Sequence, residues 1–128
     1  MARRKRRGDR LRKTVFEVAD RLKEQMIPGL TVEEIEREFV DEVGRRQVQV
    51  TRRNNTLLTF DGKPVETFLA DVVLEGRVMV EIKRLERVSS ADLYRFANYL
   101  KSSEMDEGFI ISLSGERLDC CYMNVSEN

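Results

Sequence analysis

Three charged residues stand in or beside apolar runs near the middle of the chain. Asp71 lies in one run, and Glu81 and Lys83 end the next run with Ile82 between them. In a strand, residues i and i+2 point to the same face, so the Glu81 carboxylate and the Lys83 ammonium share a side. Burying either charge is costly unless a metal, a partner or water compensates it. These charges therefore need an explanation.

The chemistry that fits them is metal-assisted hydrolysis of a phosphodiester. Asp71 and Glu81 could hold a hard cation, Mg²⁺ or Mn²⁺, with the backbone carbonyl of Ile82 as a third ligand. Such a metal polarises a phosphodiester oxygen and lowers the pKa of a bound water. Lys83 would add a point charge on the phosphate or on the attacking water. The alternative is that all three are surface or paired charges in a protein rich in them.

Whether Asp71 joins the other two depends on the loop between their strands. A two-residue loop at 75–76 would turn Asp71 away from Glu81. A three-residue loop at 74–76, closed by Gly76 in the left-handed conformation, would pair Asp71 with Met79 and put it on the Glu81 face. The predicted site therefore requires an odd-length loop or a bulge at this point.

Residue composition limits the kinds of catalytic site and the cellular location that the chain can have. There is no histidine, which excludes Ser-His-Asp triads and Cys-His pairs. Cys120 and Cys121 are adjacent, and neighbouring cysteines rarely satisfy disulfide geometry. A zinc site would need more ligands than these two. No apolar run approaches the ~20 residues of a membrane helix, and none follows the basic start as in a signal peptide. We expect a cytoplasmic protein, or a nuclear one in a eukaryote or virus, and no secretion.

The formal net charge of zero hides a division along the chain. Residues 1–13 carry eight basic side chains and one acid, which leaves 15 of the 23 basic and 22 of the 23 acidic residues for the remainder, a net charge of −7. A basic arm on an acidic body is the asymmetry expected of a nucleic-acid contact or a localisation signal. The predicted organisation is an N-terminal arm at 1–13 and one domain at 14–128.

Apolar spacing predicts the elements that position the charges. Helical spacing indicates three helices, at about 12–26, 32–43 and 91–102, the second capped by Thr31 and the third by Ser90. Strand patterns occur at Val48 and Val50 and from Thr56 to Phe60, and further strands are indicated near 64–74, 77–83, 109–113 and 117–124, with a hairpin turn at Asp61-Gly62. The predicted fold is α/β in the order α-α-β-β-β-α-β-β. Its mixed central sheet is flanked by helices and contains a parallel crossover at 77–113.

This order and the Asp…Glu-x-Lys constellation resemble the PD-(D/E)XK nuclease superfamily and, more narrowly, its small GxxExxY proteins. The resemblance covers about residues 14–124, and the stretches that carry it are Pro28-Gly29-Leu30, Ala70-Asp71-Val72-Val73-Leu74, Val78-Met79-Val80-Glu81-Ile82-Lys83, Asn98-Tyr99-Leu100-Lys101 and Gly108. It implies a restriction-endonuclease-like core, metal binding at Asp71 and Glu81, and catalysis at Lys83.

Two helix positions depart from the family pattern. The family's glutamate position is Val32 here, and its tyrosine position is Ile35. Glu36 lies one turn beyond Val32 and could supply the helix carboxylate to the metal; a solvated helix charge is the alternative. Arg95 stands where relatives tend to have glutamine, and either a phosphate contact or an exposed helix arginine fits it.

The remaining predictions concern nucleic acid. The basic residues expected to contact it are Arg3, Arg4, Lys5, Arg6, Arg7, Arg52, Arg53 and Arg95. The arm would give salt-sensitive, sequence-independent phosphate contacts, with a disordered tail or an import signal as the alternative, and Arg52 and Arg53 could also be a solvated loop pair. We therefore predict a Mg²⁺- or Mn²⁺-dependent nuclease that acts on DNA rather than RNA, and a homodimer is compatible with this function. The alternatives are a catalytically degenerate nuclease-fold module that binds nucleic acid or a partner protein, and an unrelated α/β scaffold.

Overall fold

A computed structural model describes the backbone of residues 2–60 and 63–126 and the side chains of residues 8–52 and 71–126. The elements in this part of the chain follow the predicted order. They are α1 (Ala2–Glu24), α2 (Val32–Arg45), β1 (Val50–Phe60), β2 (Lys63–Leu74), β3 (Val78–Arg84), α3 (Ser90–Ser102), β4 (Glu107–Ser114) and β5 (Arg117–Asn124). The predicted hairpin turn at Asp61-Gly62 lies outside the described residues.

The five strands form one sheet in the order β1-β2-β3-β4-β5. β3 and β4 are parallel, and the other neighbouring pairs are antiparallel. Antiparallel neighbours can be joined by short turns, whereas the parallel pair needs a crossover, which α3 provides. The predicted α/β fold with a mixed sheet is confirmed.

The sheet separates two apolar clusters. On one face, Val78, Val80 and Ile82 of β3 pack in a cluster with α1 and α2. On the other face, Met79 packs in a smaller cluster with Phe96 and other residues of α3. Helices therefore cover both sides of the central strands, as their uniformly apolar sequence predicts.

α1 begins at Ala2, ten residues earlier than predicted. Leu11 is fully buried in the core, and Arg12 Nη2 lies 3.4 Å from Glu107 Oε2. Residues 8–13 therefore lie within the folded body. The sequence conceals this part of the helix because consecutive basic residues precede the first buried position and leave no apolar period to detect. No helix among the described residues is long and apolar enough to cross a membrane.

Side-chain caps fix where α2 and α3 begin. Thr31 accepts a hydrogen bond from the Glu34 amide, as predicted. α3 is capped by Ser89, so the prediction of Ser90 was wrong by one residue. Ser89 Oγ accepts from the Asp92 amide at 3.1 Å, and Asp92 Oδ2 accepts from the Ser89 amide at 2.9 Å. A capping box needs an acid three residues after the cap, and only Ser89 has one.

Gly108 lets α3 lie close against the sheet. A Cβ atom at this position would lie 2.6 Å from the Met79 carbonyl oxygen and 2.7 Å from Phe96 Cζ. Real Cβ atoms do not approach other atoms so closely, and a larger residue would push α3 outward. The distance between α3 and the end of β3 therefore depends on this glycine.

Candidate functional site

The loop between β2 and β3 decides which face Asp71 occupies. Leu74 is fully buried, stays in β2 and pairs with Val78, so the loop is 75–77. Its first two residues have positive φ angles of 51° and 65°. The odd-length loop is confirmed, but the predicted pairing of Asp71 with Met79 is wrong by two residues. Because side chains alternate with a period of two, this shift keeps Asp71 on the face of the other carboxylate.

Asp71 lies where β2 and β3 separate. The ladder between these strands ends at the pair Val72 and Val80, and beyond it the Ile82 amide donates to Asp71 Oδ2 at 2.9 Å. The N–H and C=O groups of one strand residue point towards the same neighbouring strand. The Ile82 carbonyl therefore also points towards β2 and Asp71, which suits its predicted role as a ligand.

Glu81 is a buried acid beside this fork. It is 2% exposed, and its Oε2 atom lies 2.8 Å from Lys83 Nζ. Burial raises the pKa of Glu81; the hydrogen bond and charge of Lys83 oppose this shift, and the negative charge of Asp71 adds to it. The net shift is upward, so a bound cation would offset the cost of ionising this carboxyl group.

Lys83 and α3 form the rim of a cleft next to Glu81. The Lys83 side chain is 41% exposed, and Asp92, Arg95 and Tyr99 of α3 line the same cleft. Backbone and side-chain hydrogen bonds with Ser89 lower the pKa of Asp92, with smaller contributions from Lys83 and Arg95. The cleft therefore joins a buried acid with basic groups that solvent can reach.

Asp92 is a cleft residue that the sequence patterns did not single out, and Tyr99 was named only in a stretch that carries the family resemblance. With Arg95, which was singled out from the sequence, they are spaced i, i+3 and i+7 and so share one helix face. That spacing, together with a crossover helix that must return over the end of β3, was the signal that could have found them.

Glu36 does not join Asp71 and Glu81. It lies on α2, which covers the other face of the sheet, and it is also 2% exposed. Its Oε2 atom accepts a hydrogen bond from Arg52 Nη2 at 2.5 Å. Glu36 is therefore not a solvated helix charge, and Arg52 is a strand residue in an ion pair rather than part of a solvated loop. The side chains of Arg3, Arg4, Lys5, Arg6, Arg7 and Arg53 lie outside those described.

The residues at the fork fit a hard divalent cation. Asp71 and Glu81 are close enough for the charge of one to raise the pKa of the other, and the Ile82 carbonyl is directed towards them. Oxygen atoms of these kinds are the ligands that Mg²⁺ and Mn²⁺ prefer. Within the described part of the chain, no group of three acidic or cysteine side chains converges on a metal position, so the backbone carbonyl would have to complete the set.

The two adjacent cysteines lie on β5, at the edge of the sheet, and are free thiols. Burial raises the pKa of Cys120 to about 12. A thiol with so high a pKa is almost entirely protonated at neutral pH and therefore a poor nucleophile.

Two solved structures resemble this fold. One is SSO0001, with a TM-score of 0.49 and 15% identity, covering 70% of this chain and 48% of that one. The other is an alkaline exonuclease (LHK-Exo) from Laribacter hongkongensis, with a TM-score of 0.44 and 10% identity, covering 68% of this chain and 52% of that one. The chain thus spans about half the length of each. The comparison with curated proteins gives no match.

The decisive comparison is with family models. A model described as the PD-(D/E)XK nuclease superfamily matches residues 9–119. This match covers most of the chain, including most of α1, every element from α2 to β4 and the fork between β2 and β3. The narrower resemblance to GxxExxY proteins stays a prediction. With its three helices and five-stranded mixed sheet in the restriction-endonuclease-like order, the chain belongs to the PD-(D/E)XK nuclease superfamily.

Proposed function

We propose that this protein is a divalent-metal-dependent nuclease that hydrolyses phosphodiester bonds in DNA. The observation that carries the proposal is the fork between β2 and β3. There, Asp71 accepts a hydrogen bond from the Ile82 amide, and Glu81 pairs with Lys83. Membership of a nuclease superfamily supports the reaction class.

Asp71, Glu81 and the Ile82 carbonyl are the proposed ligands of Mg²⁺ or Mn²⁺. When bound, such an ion polarises a phosphodiester oxygen and makes a bound water more acidic. The hydrogen bond from Ile82 fixes the Asp71 carboxylate in place. Burial keeps Glu81 out of bulk water, which strengthens its attraction for a cation.

Lys83 is the proposed catalytic cation. In the hydrolysis, a water molecule gives up a proton to solvent as its oxygen forms a bond to phosphorus, the bond to the leaving oxygen breaks, and the leaving oxygen takes up a proton from solvent. Negative charge accumulates on the phosphoryl oxygens, and a preorganised ammonium beside them stabilises it. The ion pair with Glu81 holds Lys83 Nζ at the cleft while its exposed side leaves room for a phosphate.

Other basic residues are proposed to bind the nucleic-acid backbone. Arg95 lines the cleft beside Lys83, where its guanidinium group could bind a neighbouring phosphate. Arg52 is a weaker candidate because it is bound to Glu36 on the other face. The remaining candidates are Arg53 and the five consecutive basic residues at 3–7.

Cleavage assays test the proposal. Supercoiled plasmid, single-stranded DNA and RNA are incubated with Mg²⁺, Mn²⁺ or EDTA, using the native protein, Lys83→Ala and a control, Lys23→Ala. Lys23 is a close match, since its side chain is 43% exposed and pairs with Asp20 at 3.6 Å. We expect metal-dependent cleavage of DNA by the native protein and the control. Loss of the catalytic cation should slow it by about 10²- to 10³-fold. Unimpaired cleavage by Lys83→Ala would refute the mechanism.

A second candidate function is a nuclease-fold module that binds nucleic acid or a partner protein without cutting. The observation that favours it is the position of Glu36. The helix carboxylate pairs with Arg52 on the far face of the sheet, and Val32 packs against the core. Retained DNA binding with no cleavage of any substrate under any metal condition would support this function over the first.

A further inference from the structure

α1 and the cleft lie on opposite faces of the sheet. The buried residues of α1, such as Leu11 and Val15, pack in the cluster that contains Ile82. Glu81 and Lys83 alternate with Ile82 along β3 and so point to the α3 side. The sheet itself therefore separates α1 from the proposed catalytic residues.

The start of α1 also lies at the end of the sheet that is farther from the cleft. A Cβ atom at Gly8 would lie 3.2 Å from Glu107 Oε1 and 3.7 Å from Arg77 Nη2. Arg77 comes just before β3, and Lys83 is six positions further along the chain. At ~3.3 Å per strand residue, the backbone at Gly8 is level with a point about 20 Å from the cleft.

The C-terminal end of α1 lies near the opposite end of β3. Leu22 lines a groove together with Leu30, and the Leu30 carbonyl accepts a hydrogen bond from Arg84 at the end of β3. α1 therefore runs from the start of β3 towards its end. Its first residues extend past the sheet on the side away from the cleft.

The sequence of these first residues is strongly basic, and we call this segment the basic tip. It consists of Arg3, Arg4, Lys5, Arg6 and Arg7, all within α1. The N-terminal end of a helix carries positive partial charge, so cations there are destabilising. Like charges three or four positions apart also repel, and the first turn contains no acid. The arrangement opposes helix stability, and an anionic partner would offset both repulsions.

We propose that the basic tip is a second nucleic-acid-binding site, separate from the cleft, and that the protein therefore favours long nucleic acids. The six helical residues before Gly8 extend the separation by up to ~9 Å, giving roughly 20–30 Å between the tip and Lys83. This corresponds to about 6–9 base pairs at 3.4 Å each. Longer molecules engage both sites and gain affinity from the linkage, whereas shorter ones occupy one. The inference rests on the proposed binding of nucleic acid in the cleft.

Two triple variants of the same helix test it. The tip variant is Arg3→Gln, Arg4→Gln and Lys5→Gln. The control is Lys13→Gln, Arg21→Gln and Lys23→Gln, which loses the same charge from residues that pair with Glu17, Glu42 and Asp20. Binding in EDTA is measured for a 30-base-pair duplex by fluorescence anisotropy. A trinucleotide is titrated by NMR at the amide signals of Arg95 and Tyr99.

We expect the tip variant to weaken duplex binding by about 10- to 100-fold and to lower the salt slope by about 2–3. Its trinucleotide affinity should be unchanged, and the control should stay within about threefold of the native protein for both ligands. Unchanged duplex affinity would overturn the proposal, and equal losses for duplex and trinucleotide would show that the tip reaches the cleft. Because EDTA prevents metal-dependent cleavage, these outcomes stay readable even if the protein proves not to cut.

Discussion

The two faces of β3 bury different kinds of side chain. Towards α1 and α2, Val78, Val80 and Ile82 form an apolar row that continues almost to the end of the strand. Towards α3, Met79 is buried in the same way, but Glu81 and Lys83 follow it. The faces are alike over the first half of the strand and differ only where the ladder to β2 ends.

The difference shows how one strand can hold a costly charge. Burial on the apolar face fixes the backbone of β3, so Glu81 stays inside although burial raises its pKa. The hydrogen bond from the Ile82 amide to Asp71 fixes the second carboxylate from the same backbone. Apolar burial on one face thus offsets the cost of the buried charge on the other. Such a cost is common where residues serve function rather than stability.

The largest stability effect should come from the apolar face. Ile82→Ala removes a buried side chain of the main core, and such truncations cost about 3 kcal/mol. Lys83→Ala, the next residue on the opposite face, removes the ion-pair partner of the buried Glu81. Glu81 can then take up a proton, because burial raises its pKa, so we expect a smaller loss, of about 1 kcal/mol. Urea denaturation measures both. Equal losses for the two variants would contradict the claim that the apolar face of β3 contributes more to the free energy of unfolding than the face towards α3.

An intermediate effect should come from the charge pair on the α2 side. Arg52→Gln removes the guanidinium group that pairs with the buried Glu36, and breaking a fully buried pair costs about 3–5 kcal/mol. Arg52 is 46% exposed, so we expect a loss of about 2 kcal/mol. Adding Glu36→Gln should restore part of the stability in a double-mutant cycle. Purely additive losses would show that the pair contributes nothing beyond its separate side chains.

The smallest effect on stability should be an increase in the free energy of unfolding when Glu81 is replaced by Gln. Replacing it by Gln removes a buried charge whose ionisation the fold disfavours, and we expect a gain on the order of 1 kcal/mol, or about 4 °C in Tm. Cleavage and metal-induced stabilisation should both disappear. A variant less stable than the native protein at pH 7 would contradict the account of this carboxyl group.

The pH dependence of that gain has a definite sign. The folded state raises the pKa of Glu81, so its favourable contribution is complete below the unfolded-state pKa of about 4.3 and is lost as the pH rises through the folded-state value. The advantage of Glu81→Gln should therefore be absent near pH 4 and grow towards pH 7. Thermal melts of both proteins across this range measure it.

Sequence periodicity predicted the parts of the site that depend on strand alternation. The prediction that Asp71, Glu81 and Lys83 share one face was correct despite an error of two residues in the register of β2 and β3. Side chains alternate with a period of two, so a shift of two residues keeps them on the same face. The buried state of Leu74 set the loop position, and burial depends on tertiary packing that local turn preferences do not report.

Contacts between residues far apart in the chain could not be predicted from local sequence patterns. The pairing of Glu36 with Arg52 joins residues 16 positions apart across α2 and β1, and neither residue has a neighbour in sequence that indicates it. The early start of α1 was missed for a related reason, since Gly8, near its beginning, lies against Glu107 of β4, far along the chain.

The most direct test of the central claim is the position of a bound metal. Crystals soaked in Mn²⁺ are measured by anomalous diffraction, with Asp71→Asn crystals as the control. We predict an anomalous peak at the fork between β2 and β3, in contact with the carboxylates of Asp71 and Glu81 and the Ile82 carbonyl, and its loss in the variant. A peak elsewhere, or none at a Mn²⁺ concentration that supports cleavage, would contradict the assignment of this site.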